Sequence, residues 1–96
     1  MATFIALGSF TDQGIRNVKD STKRAESVRE MAKKFGITMK DIYWTLGQYD
    51  VVTIIDAPSD EVATSFALAI GAAGNVRTQS LRAFSRDEMN AILGKL

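Results

Sequence analysis

The chain has 96 residues, a formal net charge of +1, 46% hydrophobic and 24% charged residues, and neither cysteine nor histidine. Such a composition belongs to one globular domain, residues 1–96, able to bury roughly two thirds of the surface its unfolded form exposes. It excludes disulfides, thiolate–zinc and iron–sulfur sites, histidine-ligated metals and every Ser-His-Asp or Cys-His device, and its weak charge exerts no strong pull on nucleic acid or an anionic membrane.

Only hard-cation sites built from carboxylates stay open, the acids show no calcium-loop spacing, and no metal site and no cofactor is expected. The first residues, Met1 to Leu7, carry no basic n-region and read as a strand, not a signal peptide. The longest mostly apolar stretch, 62–73, is too short to span a bilayer, so no membrane partner is expected and cytoplasmic residence is the default.

Residues 3–10 are predicted to form a strand with two apolar faces, Phe4, Ala6, Gly8, Phe10 and Ile5, Leu7, Ser9, as in a central strand covered on both sides. Thr11-Asp12-Gln13-Gly14 reads as a turn. A helix is predicted over 21–35, with Asp20, Ser21 and Thr22 as candidate N-caps, Ala25, Val28, Ala32 and Phe35 at helical spacing, and Gly36 at the C′ position.

Strands over 39–46 and 49–57 follow, joined by Gly47-Gln48 in a two-residue type II′ pattern. This register sets Leu46 opposite Tyr49, Thr45 opposite Asp50 and Trp44 opposite Val51. Ile42, Trp44, Leu46, Tyr49, Val51 and Thr53 then share one face, and Tyr43, Thr45, Asp50, Val52 and Ile54 the other.

Pro58 stops the strand, and Ser59-Asp60-Glu61 starts a helix that runs to about Ala73 and is apolar nearly all round. Its many alanines permit close approach. A fourth strand covers 76–84. Ser85-Arg86-Asp87-Glu88 has the capping-box pattern, and Met89, Ile92, Leu93 and Leu96 follow as the docking stripe of a short C-terminal helix. The order β-α-β-β-α-β is the split βαβ pattern: an α+β, ferredoxin-like sandwich with strand order 4-1-3-2 and both main helices on one sheet face. Apolar residues on both sides of the sheet ask for a second copy over the face the helices leave open.

At Leu46-Gly47-Gln48-Tyr49-Asp50-Val51-Val52 the chain resembles the GYD-domain family, small bacterial and archaeal proteins with a Gly-x-Tyr-Asp signature. The resemblance extends through Asn17 to Ser21, Lys23-Arg24-Ala25, Ala57-Pro58 and Gly74 to Thr78, and so covers nearly the whole chain. Thr22 stands where many relatives carry proline at the first helical turn, and threonine leaves that helix start intact. The resemblance implies the dimeric α/β-barrel superfamily and a homodimer or a multiple of one. It implies no particular chemistry.

Three readings of function are weighed. The first is a non-catalytic module binding a small molecule or a partner protein. The second is a cofactor-independent oxygenase or isomerase with a pocket between helices and sheet and Asp50 as base. The third is a purely structural oligomer. The binding candidates are Tyr43, Thr45, Tyr49, Asp50, Arg77 and Arg82: the register lines Tyr43, Thr45 and Asp50 along one face with Tyr49 on the other, and Arg77 or Arg82, which have opposite parities, is the expected partner of Asp50. Gly47, Tyr49 and Asp50 also read as a fold device: glycine at positive φ, Tyr49 packed beside Leu46, and Asp50 bonded to turn amides. Trp44, the single tryptophan, reads as a core or interface aromatic. The lysines and arginines of the first helix are diluted by Glu26 and Glu30 and read as a solvated face.

Overall fold

The computed structural model describes residues 1–96. The elements in order are β1 (Ala2–Phe10), α1 (Asp12–Arg16), a 3₁₀ turn (Val18–Asp20), α2 (Ser21–Lys34), β2 (Thr38–Trp44), β3 (Val51–Ala57), α3 (Asp60–Ala72), β4 (Val76–Ala83) and α4 (Arg86–Leu93). The sheet has the order β2-β3-β1-β4, which is the expected 4-1-3-2, and every neighbouring pair is antiparallel. Both long helices lie on one face, so the ferredoxin-like reading holds.

Local signals account for most boundaries. Ser59 accepts the Val62 N–H at 3.2 Å and starts α3 immediately after Pro58 ends β3. Gly36 ends α2 at φ 73°. Ser85 and Glu88 form the expected capping box of α4.

Four details differ from the sequence reading. Thr11 does not open a turn. It caps the short helix α1, its hydroxyl accepting the Gly14 N–H at 3.0 Å and donating to Gly74 O at 2.5 Å. Gln13 bonds Ala73 O and Asn75 Oδ1, so α1 is stitched to the turn between α3 and β4. Secondly, the two-residue II′ turn does not form. β2 and β3 stop at Trp44 and Val51, and the loop between them is closed by the Thr45 N–H to Asp50 O at 2.8 Å and the Thr45 hydroxyl to Tyr49 O at 2.6 Å. Gly47 does adopt φ 113°, while Leu46 is fully exposed and offers Tyr49 nothing to pack on.

Thirdly, the pairing of β2 with β3 keeps the expected register from Trp44–Val51 to Asp41–Ile54, then shifts at a bulge at Lys40. Arg29 reaches from α2 to donate to Met39 O beside that bulge at 3.0 Å. Fourthly, α4 does not bury its apolar stripe on its own domain, to which Glu88 ties it through Arg82. Met89, Ile92, Leu93 and Leu96 all stay exposed.

The core sits at one end of the sandwich, where Phe4, Met39, Ile55 and Ala57 of the sheet meet Ala32 of α2 and Ala63 and Phe66 of α3. Phe35 and Phe66 pack with ring centroids 5.7 Å apart. Only 11 of the 96 residues are buried, so the single chain leaves much apolar surface uncovered.

Candidate functional site

The sheet has two faces of different character. On the inner face, toward the helices, lie Phe4, Ala6, Gly8 and Phe10 of β1 and Val51, Thr53 and Ile55 of β3. On the outer face, cross-strand rows run Asp41–Ile54–Ile5–Leu81 and Tyr43–Val52–Leu7–Gln79. No helix covers the outer face. Its centre is apolar, bordered by the Thr3–Asp56 pair at one end and by Ser9, Arg77 and the signature loop at the other.

Asp50 stands where β3 leaves β1. Its N–H donates to Gly8 O at 2.8 Å, and its carboxylate accepts the Phe10 N–H at 2.9 Å. Beyond Gly8–Val51 the two strands stop pairing, and the carboxylate supplies the acceptor that a ladder carbonyl would otherwise give. The sequence reading expected turn amides or an arginine. The partner is instead a strand amide forty residues away, and the three ion pairs of the chain, Lys33–Glu30, Lys40–Asp56 and Arg82–Glu88, leave Asp50 out.

Tyr49 is half-buried, and its hydroxyl meets Gln79 Oε1 at 3.2 Å, tying the loop to β4 across the outer face. The expected placement of Tyr49 on the Trp44 face is therefore corrected. Thr45 is committed to closing the loop. Tyr43 is exposed in the outer row. Arg77, opposite Ser9, lies on the outer face but joins no ion pair.

Arg82 is separated from this group. It lies on the Phe4 side, its guanidinium 5.8 Å from the Phe4 ring centroid and 4.6 Å from that of Phe84. It also bonds Ala83 O and sits 3.5 Å from Glu88. The Ser85 backbone N–H, donating to the Glu88 carboxylate at 2.9 Å, is the main cause that holds this carboxyl below its ordinary range. The Ser85 hydroxyl and Arg82 add to it, against an opposing effect of desolvation.

Tyr43, Thr45, Tyr49, Asp50 and Arg77 thus cluster at one end of the outer face, with Arg82 apart. Sequence parity missed Gln79 and the Phe10 amide. Gln79 has the parity of Arg77 and Leu81, a signal that placed it on the outer face once β4 was aligned with β1.

A second concavity lies between α2, α3 and the inner face. It is a cleft of about 520 Å³, with Trp44, Phe10, Val28 and Ile70 among its lining. None of the six binding candidates lines it. Trp44 is thus a cleft wall, 44% exposed, and not a core residue. No group of three carboxylates converges where a cation could sit, and no helix is long and apolar enough to cross a membrane.

The model of the GYD domain matches residues 4–93. The chain belongs to the GYD domain family. A curated protein of Thermus thermophilus, the "Glutamine synthetase and cystathionine beta-lyase binding protein", is 31% identical over 84 residues, covering 86% of this chain and 88% of its own. No solved structure matches the chain. In this GYD domain the signature residues are those that close the β2–β3 loop and pin β3 to β1, with Gly47 giving the positive φ and Asp50 the acceptor.

Proposed function

We propose that this GYD domain is a non-catalytic module that self-associates through the outer face of its sheet and docks on a partner protein. The observation that carries the reading is the outer face itself. Ile5, Leu7, Val52, Ile54 and Leu81 form contiguous cross-strand rows with no helix over them. Leu81 is exposed and the other four are half-buried, and an apolar sheet centre left without a covering layer suits an interaction surface. Burying one such side chain contributes about 1.5–3 kcal/mol before ordering costs. Tyr43, Tyr49 and Arg77 border the rows and supply the residue types that anchor interfaces.

The relative's name supports a protein as the partner, and an enzyme of nitrogen or sulfur amino-acid metabolism as its class. The enzymatic reading has less behind it. Its base would be Asp50, which is spent on the Phe10 amide and lies outside the cleft.

Purified chain should sediment as a dimer or a multiple of one at micromolar concentration. It should bind glutamine synthetase or cystathionine β-lyase from the same source in biolayer interferometry. A monomer that binds neither enzyme would sink the reading.

A further inference from the structure

The cleft between α2, α3 and the inner sheet face has a chemistry unlike that of the outer face. We infer that it is a binding site for a small apolar monocarboxylate, with Arg24 receiving the carboxylate and Trp44 flanking the apolar body.

Size is the first ground. Small side chains, among them Ala6, Gly8, Ala25 and Ala67, leave about 520 Å³ between helices and sheet, within the range of small-molecule sites. The alanines of α3 therefore do not bring that helix down onto the sheet along its whole length. Phe66 and Ala63 close one end, and the other stays open. At about 30 Å³ per water-sized group, such a space takes up to roughly seventeen non-hydrogen atoms. Water there meets mostly carbon, so an apolar body displaces it favourably.

Charge is the second ground. The lining includes two cations, Arg24 and Lys34, and no carboxylate. Lys34 is exposed, whereas Arg24 is half-buried and held in place: its guanidinium donates to Asn17 O at 2.7 Å and to Ser21 Oγ at 3.2 Å. Ser21 in turn donates to Val18 O at 2.6 Å. Those two bonds use two of the five N–H donors of a guanidinium, and the rest suit a carboxylate fork. A cation fixed at the rim of an otherwise apolar cleft selects an anion with an apolar tail.

Decanoate is the probe, used far below micelle formation, with 1-decanol as its uncharged counterpart. Trp44 is the single tryptophan, so its emission reports occupancy directly. Decanoate should change that emission saturably at one molecule per chain and move the amide resonances of Ala25, Trp44 and Ile70. Arg24→Gln should weaken decanoate about 10- to 100-fold while leaving 1-decanol within about twofold. Ala67→Phe should abolish both. Should the last variant fail to fold, the resonance mapping on the unmodified chain still decides. Three results would overturn the inference: no saturable response; resonance shifts confined to Leu7, Val52 and Leu81 on the outer face; or equal weakening of decanoate and 1-decanol by Arg24→Gln. So would a Trp44 shift that grows with protein concentration alone and vanishes when residues 86–96 are removed, because the occupant would then be α4 of a second copy.

Discussion

The carboxylate of Asp50 accepts the backbone N–H of Phe10 at 2.9 Å, at the point where β3 parts from β1. Replacing the acid separates charge from hydrogen bonding. Asp50→Asn keeps an acceptor for Phe10 and is expected to cost under about 1 kcal/mol, whereas Asp50→Ala orphans a partly buried amide and is expected to cost about 1–3 kcal/mol. Urea denaturation measures both. Faster hydrogen exchange at Phe10 in the alanine variant alone would locate the effect. Equal, large losses in both variants would mean that the charge itself matters, through a partner other than this amide.

Gly14 and Gly47 are special for different reasons. A Cβ on Gly14 would lie 1.9 Å from Asn75 O, because α1 presses backbone to backbone against the α3–β4 turn. Gly47 has open space around it but φ 113°. Gly47→Ala is therefore expected to carry only a conformational cost, about 1–2 kcal/mol. Gly14→Ala must displace α1 and is expected to cost as much as other overpacked sites, about 1–3 kcal/mol or more. Hydrogen exchange discriminates them: the Thr11 amide, bonded to Asn75 O at 3.1 Å, should lose protection in Gly14→Ala and keep it in Gly47→Ala.

Which of these features could be seen in the sequence follows from how far apart their partners lie. Pro58 with Ser59, Gly36, and Ser85 with Glu88 act within one turn, and each ended or began its element where expected. Apolar parity placed Phe4, Ala6 and Gly8 opposite Ile5 and Leu7, and the split βαβ order carried the strand order with it. The contacts of Asp50 with Phe10, Tyr49 with Gln79 and Gly14 with Asn75 span 30 residues or more, and no periodicity encodes them. The bulge at Lys40 did leave a mark: Met39 and Ile42 both face the core although they stand three apart around Lys40 and Asp41, a spacing that unbroken alternation cannot give. The alanines of α3 were legible as small, but whether small residues close a gap or leave one depends on the opposing surface. Here Gly8 and Ala6 lie across from them and leave it open.

The outer face offers a direct test of self-association. Leu7 lies mid-row between Val52 and Gln79. Leu7→Lys places a charge where a second copy would have to desolvate it, with no carboxylate opposite it in its own row. The variant is expected to keep its far-ultraviolet circular dichroism and to sediment as a monomer. Unchanged assembly would exclude this face as the interface.

The exposed stripe on α4 changes what truncation should do. A helix docked on its own domain would make removal of residues 86–96 strongly destabilising. With Leu96 in solvent and Met89, Ile92 and Leu93 each 38–48% exposed, the truncated monomer is expected to unfold within about 1 kcal/mol of the full chain. Self-association or enzyme binding should weaken instead. A shortened chain that stays monomeric yet loses several kcal/mol would show that α4 packs on its own sheet.

Glu88 makes the start of α4 sensitive to acid, and the direction follows from its bonds. The Ser85 backbone N–H, donating at 2.9 Å, is the leading cause that keeps its carboxyl below the ordinary 4.5, followed by the Ser85 hydroxyl and by Arg82. A carboxyl with a lowered folded pKa supports the folded form above its unfolded pKa, and that support is lost as pH falls through the folded value. The Cα shifts of the first turn of α4 should therefore stay helical from neutral pH down to about 4.5 and lose part of their helical offset only below it, tracking a Glu88 carboxyl titration with its midpoint under 4.5. Two variants rank the causes. Ser85 has φ −68°, which proline can adopt, so Ser85→Pro removes both the N–H and the hydroxyl without forcing the backbone. It should bring the Glu88 midpoint back toward 4.5. Arg82→Gln removes only the guanidinium, 3.5 Å away at the surface, and should move the midpoint less. If Arg82→Gln moved it more, charge pairing and not the capping box would be holding Glu88 ionised.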